Sequence, residues 1–203
     1  MANIRAFADQ ECADYQFLSG NIFSPKFSPP LQKLVMLDKK FDHYDVVVML
    51  DMDMFVRKGM TESLFEQPGI GVSAPDQRRL KWAYIRKMKG LVHWRYPYWS
   101  GCLWKLDRSH RQLFRSKLHL VDIEKYNRGR LEDEGVMHQL ARHSRFTGRI
   151  LPGGDKWGMS SWQDNLEKAA MIHIRPRVST IKGAKRTKIE NLRELVDRGL
   201  IAG

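Results

Sequence analysis

Apolar residues recur at helical spacing in four parts of the chain, and each part predicts an amphipathic helix. These parts are residues 4–15, 31–41, 132–143 and 187–199. The last begins with Thr187-Lys-Ile-Glu190, a capping box in which the threonine hydroxyl and the glutamate carboxylate satisfy each other's backbone amides. Gly199 follows the last apolar turn and can end this C-terminal helix in the left-handed conformation.

Strands are predicted where short apolar runs lie between the predicted helices. The clearest run is Asp45-Val-Val-Val-Met-Leu50, in which apolar residues do not alternate with polar ones. Such a run is typical of a strand that is buried on both faces of a mostly parallel sheet. Shorter runs at residues 69–74, 98–106 and 171–174 predict further strands. The order of elements therefore predicts an α/β fold, in which helices flank a mostly parallel sheet.

The composition favours one domain with a hydrophobic core. The chain has 203 residues, of which 42% are apolar, and this fraction is too high for a disordered protein. Its longest aliphatic run, Val46–Leu50, has five residues, whereas a helix that crosses a bilayer needs about 20. The first ten residues contain no apolar segment of the kind found in a secretory signal peptide. Two cysteines, Cys12 and Cys102, give neither a metal spacing nor a disulfide framework, so we expect a reducing, cytoplasmic compartment.

The positive charge of the chain points to acidic or phosphorylated partners. Thirty-five basic and 23 acidic side chains leave a formal net charge of +12. Residues 78–95 include seven basic residues and no acidic one, and a second basic run covers residues 175–188. These runs suit a polyanion, a phosphorylated ligand or peripheral contact with an anionic membrane surface. A solvated basic face without any ligand stays the alternative.

Two carboxylates directly follow the clearest strand. Asp51 and Asp53 are separated by one methionine, and residues two apart in a strand project to the same face. At a separation of about 7 Å, these carboxylates would repel each other by about 2 kcal/mol near a protein surface. A divalent cation removes this repulsion, and oxygen ligands suit Mg²⁺ or Mn²⁺. Because open α/β sheets bind ligands at the carboxyl ends of their strands, this pair is the first candidate for a metal site.

The segment Pro30–Val56, with the sequence PLQKLVMLDKKFDHYDVVVMLDMDMFV, resembles the metal-dependent glycosyltransferases of the GT-A fold. These enzymes carry Asp-x-Asp after a buried strand, where it holds a divalent ion that bridges the two phosphates of a nucleotide-sugar. The resemblance continues through Tyr98–Trp104, Glu132–Gly135 and Met171–Ile174, which are similar to segments of the glycogenin and lipopolysaccharide-galactosyltransferase branch. It implies one GT-A-like (Rossmann-like) domain over residues 1–203. We expect this domain to be abbreviated at its N-terminus, because the usual first nucleotide-binding strand is not readable.

The resemblance implies site residues at the matching positions. The implied metal ligands are Asp51, Asp53 and His173, and the imidazole favours Mn²⁺ over Mg²⁺. The residues expected to contact the nucleotide-sugar donor, a UDP-sugar, are Lys33, Asp51, Ser100, Gly101, Lys182 and Lys185. The residues expected to be catalytic are Asp133 and Glu134; Asp133 would be the general base of an inverting enzyme or would steady the sugar in a retaining one. The residues expected to border a glycan acceptor are Trp82 and Trp99.

Each of these residues also has a purely structural interpretation. His173 lies between two isoleucines and has the pattern of a hydrogen-bonded core histidine. Acidic residues such as Asp133 in the first turn of a helix offset the helix dipole. Lys33 lies on a predicted amphipathic helix, where a lysine normally faces solvent. The tryptophans can pack in the core as well as stack on sugar rings.

Two other functions fit parts of the sequence. Phosphatases of the haloacid-dehalogenase type also follow a strand with Asp-x-Asp, but their motif normally continues with a small Thr or Val, where Met54 and Phe55 stand here. A basic nucleic-acid-binding module would use the positive charge and the interleaved aromatic residues. It leaves Asp51 and Asp53 unexplained, because carboxylates repel phosphates. We therefore expect a nucleotide-sugar donor and a glycan acceptor as partners, and no nucleic acid.

Overall fold

Four α-helices and five β-strands lie in the part of the chain that the computed structural model describes, namely residues 2–72, 93, 95–127, 132–153, 155–175 and 187–202. The helices are α1 (Ala2–Gln10), α2 (Arg108–Lys117), α3 (Glu132–His143) and α4 (Lys188–Asp197). The strands are β1 (Val46–Leu50), β2 (Met54–Val56), β3 (Leu103–Asp107), β4 (Met159–Ser160) and β5 (Met171–His173). The fold is therefore mixed α/β, as predicted. None of the helices in the described ranges is both long and apolar enough to cross a bilayer.

The described strands form two small sheets. In the first, β1 pairs antiparallel with β3, so that Val46 lies opposite Asp107 and Leu50 opposite Leu103. In the second, β5 lies between β2, which is antiparallel to it, and β4, which is parallel. Two of these three strand pairs are thus antiparallel, so the described strands do not show the predicted mostly parallel sheet. Every residue of β1 is half-buried, so β1 is not buried on both faces as its apolar run predicted.

The helical predictions differ in how well they match the structure. The predicted helix 132–143 coincides with α3, and α4 begins with the predicted capping box and ends before Gly199, whose φ is +65°. The predicted helix 31–41 is instead a pair of 3₁₀ segments, Pro29–Leu37 and Lys39–Phe41. They are separated by Asp38, which is extended and whose carboxylate accepts from the amide of Lys40. The capping carboxylate thus interrupts the helical pattern.

The core places the ends of β1 and β5 side by side. Trp104 and Leu106 of β3 belong to an apolar cluster with α2 and α3, whereas Leu103 packs on the opposite face with Met54 and Met171. β5 alternates in the same way, because Ile172 packs against α4 in a third cluster. The short turn from β1 to β2 and the end of β5 therefore meet between these clusters.

Candidate active site

Asp51, Asp53 and His173 meet at the end of β1. The amide of Asp51 donates to the carbonyl of Cys102 at 2.9 Å, and the amide of Ile174 donates to the carbonyl of Asp53 at 2.9 Å. These bonds hold the turn against β3 and β5. His173 Nε2 lies 3.2 Å from Asp53 Oδ1 and 3.7 Å from Asp51 Oδ2. One ligand atom from each residue lies within 4.8 Å of the others, so the structure brings together the three predicted metal ligands.

The charge of Asp53 is stabilised by two neighbours. Burial alone would raise the pKa of this carboxyl group, but the hydrogen bond and charge of His173 and the ammonium group of Lys188 lower the pKa well below its usual range. Lys188, the first residue of α4, forms an ion pair with Asp53 Oδ2. Asp53 is therefore an anion at neutral pH, which is the form that ligates a cation.

Arg175 determines which nitrogen of His173 carries the proton. Its Nε donates to His173 Nδ1 at 3.0 Å, so the neutral imidazole has its proton on Nε2, the nitrogen that faces the two aspartates. A metal-bound histidine normally donates from its other ring nitrogen. The two carboxylates suit a divalent cation, which would replace Lys33 and Lys188 as their positive partners. His173 fits one only when Arg175 leaves Nδ1, so that the proton can move to that nitrogen.

Lys33 joins Asp51 to Asp133. Its Nζ donates to Asp133 Oδ2 at 2.7 Å and to the carbonyl of Gly101 at 2.7 Å, and it forms an ion pair with Asp51. Burial alone would lower the pKa of Lys33, but the two carboxylates outweigh this effect and raise the pKa above its usual value. The side chain is only 14% exposed, so Lys33 does not belong to a solvated helix face.

The first turn of α3 is buried against the Ser100-Gly101 turn. Glu134 Oε1 accepts from the amide of Gly101 at 2.8 Å, and Asp133 Oδ1 accepts from the amide of Glu134 at 3.0 Å. A Cβ atom at position 101 would lie 2.5 Å from Asp133 Oδ2, so only glycine allows this carboxylate to reach Lys33. Asp133 and Glu134 therefore make specific contacts to side chains and backbone, beyond any effect on the helix dipole.

Most of the predicted site residues are close together, but not all of them. Ser100 lies beside Gly101, and its Oγ is 3.5 Å from Arg175, which connects the glycine turn to His173. Trp99 is 1% exposed and packs in the core beside Phe146, so it has no face open to a glycan, which contradicts the predicted acceptor contact. Trp82, Lys182 and Lys185, which were also predicted to bind ligands, lie outside the described residues.

Two basic residues of the site were missed by the sequence analysis. Arg175 follows His173 by two positions, just beyond the end of β5, and this spacing could have indicated the contact. Lys188 lies in the second basic run, but nothing in the sequence relates it to Asp53, 135 positions earlier.

No model of a known protein family matches the chain, and no curated protein matches it either. The site itself is thus the evidence for function. It consists of two carboxylates and an imidazole, bordered by the cationic side chains of Lys33, Arg175 and Lys188. Such an arrangement can bind a divalent cation together with an anionic ligand.

Proposed function

We propose that the chain is a divalent-metal-dependent glycosyltransferase that transfers a sugar from a nucleotide-sugar, such as a UDP-sugar, to a glycan acceptor. The convergence of Asp51, Asp53 and His173 carries this proposal. Two carboxylates and an imidazole that lie this close together can bind a divalent cation, and Mn²⁺ or Mg²⁺ in turn suits a diphosphate. The surrounding lysine and arginine side chains favour an anionic ligand over a neutral one. We further propose that the described strands belong to a GT-A-like domain, whose remaining strands would make its sheet mostly parallel.

The two aspartates and His173 would hold the metal. The ion would neutralise the charge that develops on the leaving diphosphate. Arg175, released from His173, would place its guanidinium beside the same phosphates, since its recorded partners in the described part of the chain are neutral groups. Lys188 would add a second positive charge next to Asp53. Once in place, these positive charges would stabilise the developing anion.

Asp133 and Glu134 would act on the other side of Lys33. Both carboxylates are buried, and their contacts to Lys33 and Gly101 fix their positions. In the structure, Lys33 and the amide of Glu134 occupy the two oxygens of Asp133. Because each carboxylate oxygen can accept two hydrogen bonds, Asp133 can still accept from an acceptor hydroxyl and act as the general base.

Calorimetric titration of Mn²⁺ in the presence of UDP tests the proposal. We expect Asp53→Asn, which keeps the shape and removes the charge, to weaken Mn²⁺ binding by at least about tenfold. The matched control is Asp45→Asn before β1, where the carboxylate is 93% exposed and pairs with Arg108. The control should bind Mn²⁺ and UDP like the unmodified chain. Equal Mn²⁺ affinity in both variants, or UDP affinity that is independent of Mn²⁺, would reject the metal site.

A further inference from the structure

Trp162 differs from the other tryptophans of the described chain in its exposure. Its side chain is 38% exposed, whereas Trp99, Trp104 and Trp157 are at most 1% exposed. It lies in the loop 161–165, which follows β4 and precedes a 3₁₀ turn at Leu166–Lys168. Core packing therefore does not explain this indole ring.

The exposed ring borders a cleft large enough for a small ligand. The cleft has a volume of about 560 Å³, and Trp162 shares its lining with Asp155, Gln163, Asp164, Asn165 and Lys168. Ligand sites in proteins typically measure about 300–1,000 Å³ and combine an aromatic surface with a few polar groups. A neighbouring cleft that Trp162 also lines is only about 130 Å³, which is below this range. The larger cleft is thus the one that suits a ligand.

Hydrogen bonds within the loop fix its conformation. Gln163 Oε1 accepts from the amide of Ser160 at 2.8 Å, and Gln163 Nε2 donates to Asp155 Oδ2 at 2.8 Å. The amide of Gln163 also donates to the carbonyl of Ser160 at 2.9 Å. A loop that is held in this way loses little conformational entropy when a ligand binds.

The cleft also offers polar groups that a ligand can use. Asp164 and Asn165 are exposed, and neither side chain has a recorded hydrogen-bond partner within the described ranges. A carboxylate accepts hydrogen bonds, and an amide both donates and accepts them, so together they match the hydroxyl groups of a sugar. The flat apolar surface of an indole matches the C–H face of a sugar ring.

The charge of the cleft argues against an anionic ligand. Two carboxylates, Asp155 and Asp164, face one ammonium group, Lys168, in a chain whose net charge is +12. This acidic patch would repel phosphates, so neither the nucleotide nor a nucleic acid is a suitable occupant. An uncharged polyhydroxylated ligand has no such penalty.

The loop is attached to the strand that carries a metal ligand. The amide of Ser161 donates to the carbonyl of His173 at 2.9 Å, and the amide of Arg175 donates to Ser161 Oγ at 3.1 Å. Trp162 is the next residue of the chain. A ligand in the cleft would therefore lie on the β4–β5 side of the candidate metal site.

We propose that the Trp162 cleft binds an uncharged carbohydrate and is an outlying acceptor subsite of the transferase, which holds a sugar of the glycan away from the sugar that reacts at Asp133. Its use as an acceptor subsite rests on the proposed function, whereas carbohydrate binding itself does not. Trp162 supplies the stacking surface, and Asp164 and Asn165 bind hydroxyl groups. Trp162 thus has the role that the sequence analysis assigned to Trp99.

Binding of neutral disaccharides tests this assignment without metal or nucleotide. Maltose, cellobiose, lactose and N,N′-diacetylchitobiose are titrated by calorimetry, and the indole ¹⁵N–H resonance of Trp162, assigned from its loss in Trp162→Phe, locates the site. We expect at least one disaccharide to bind and to shift this resonance. Trp162→Ala should weaken binding at least about tenfold, whereas Trp162→Phe, which keeps an aromatic face, should stay within about threefold. The control Phe17→Ala, at an exposed aromatic residue outside the cleft lining, should change nothing.

Several results would overturn the assignment. They are the absence of a shift at millimolar disaccharide, an affinity that Trp162→Ala leaves unchanged, and preferred binding of a sulfated disaccharide or an oligonucleotide. Binding of Mn²⁺ with UDP is measured separately on Trp162→Ala and should be unchanged. If the chain binds disaccharides but does not bind Mn²⁺ with UDP, the carbohydrate cleft is supported and the proposed transferase function is rejected. If the chain binds Mn²⁺ with UDP but no disaccharide, the donor site is supported and the carbohydrate cleft is rejected.

Discussion

Arg175 donates a hydrogen bond from Nε to Nδ1 of His173 at 3.0 Å, which holds the imidazole proton on the nitrogen that faces Asp51 and Asp53. This contact opposes metal binding, because a ligating Nε2 must be free of its proton. Arg175 lies two positions beyond the end of β5, so the candidate metal ligand and the group that restrains it are close in sequence as well as in space. The affinity for Mn²⁺ should therefore depend on residue 175.

We expect Arg175→Gln to bind Mn²⁺ more tightly than Arg175→Met in the absence of nucleotide. Both variants remove the positive charge, but only the glutamine offers an oxygen that can accept from Nδ1–H and so favour the ligating form of His173. The difference should be about threefold to tenfold, measured by calorimetric titration with Mn²⁺. Equal affinities of the two variants would show that Arg175 acts through its charge alone.

Lys33 and Lys188 form a matched pair for measuring the effect of burial. Each forms an ion pair with one of the candidate metal ligands, but the Lys33 side chain is 14% exposed and the Lys188 side chain is 54% exposed. Lys33→Met should lower the free energy of unfolding by about 3–5 kcal/mol, because it leaves the buried carboxylate of Asp133 without its cation. Lys188→Met should lower it by at most about 1 kcal/mol. Urea unfolding measures both values, and similar losses in the two variants would contradict the structure.

The sequence predicted the grouping of Asp51, Asp53 and His173 better than the contacts around them. The pair Asp51 and Asp53 follows from its position after an apolar run, whereas His173 was indicated by the resemblance to the GT-A glycosyltransferases. The pair Lys33–Asp133 joins residues that are 100 positions apart, and no local pattern encodes such a contact. A basic side chain on an apolar helix pattern has the same local signature whether it faces solvent or two carboxylates.

Neither the direction of the strands nor the burial of each tryptophan could be predicted from the sequence. An apolar run such as 46–50 indicates that a segment is covered, but its pairing partner decides whether the sheet is parallel. Here the turn at Asp51 and Asp53 is short, and β2 pairs antiparallel with β5. Trp99 and Trp162 both occur next to polar residues, and only the packing of the folded chain distinguishes the core residue from the exposed one.

The ion pairs of Asp53 predict how stability depends on pH. The pKa of Asp53 is lower in the folded chain than the unfolded value of about 3.9, so its contribution to stability is fully present above that value. It is lost as the pH falls below about 4 and the carboxylate becomes protonated. When the pH falls from 6 to below about 4 at constant ionic strength, Asp53→Asn should therefore lose less unfolding free energy than the unmodified chain. Asp45→Asn, at an exposed carboxylate, should retain the full dependence. An identical pH profile for Asp53→Asn would show that its ion pairs do not stabilise the fold.

Asp133→Asn distinguishes a catalytic carboxylate from a structural one. The amide keeps the shape of the side chain, and its oxygen can still accept from Lys33 Nζ, which is 2.7 Å from Asp133 Oδ2. It cannot take a proton from an acceptor hydroxyl. We therefore expect turnover, measured as UDP release from a panel of UDP-sugars with a glycan acceptor, to fall by about 10²–10⁴-fold.

The other measurements on Asp133→Asn separate the remaining roles. Affinity for Mn²⁺ with UDP should be retained, because Asp51, Asp53 and His173 are unchanged. The matched control is Glu132→Gln in the same helical turn, where the carboxylate accepts from Ser28 Oγ. Both variants should lose a similar amount of thermal stability, but only Asp133→Asn should lose turnover. Equal turnover in the two variants would show that Asp133 holds Lys33 in position and is not catalytic. Loss of UDP-sugar affinity with unchanged UDP affinity would instead place its carboxylate against the donor sugar.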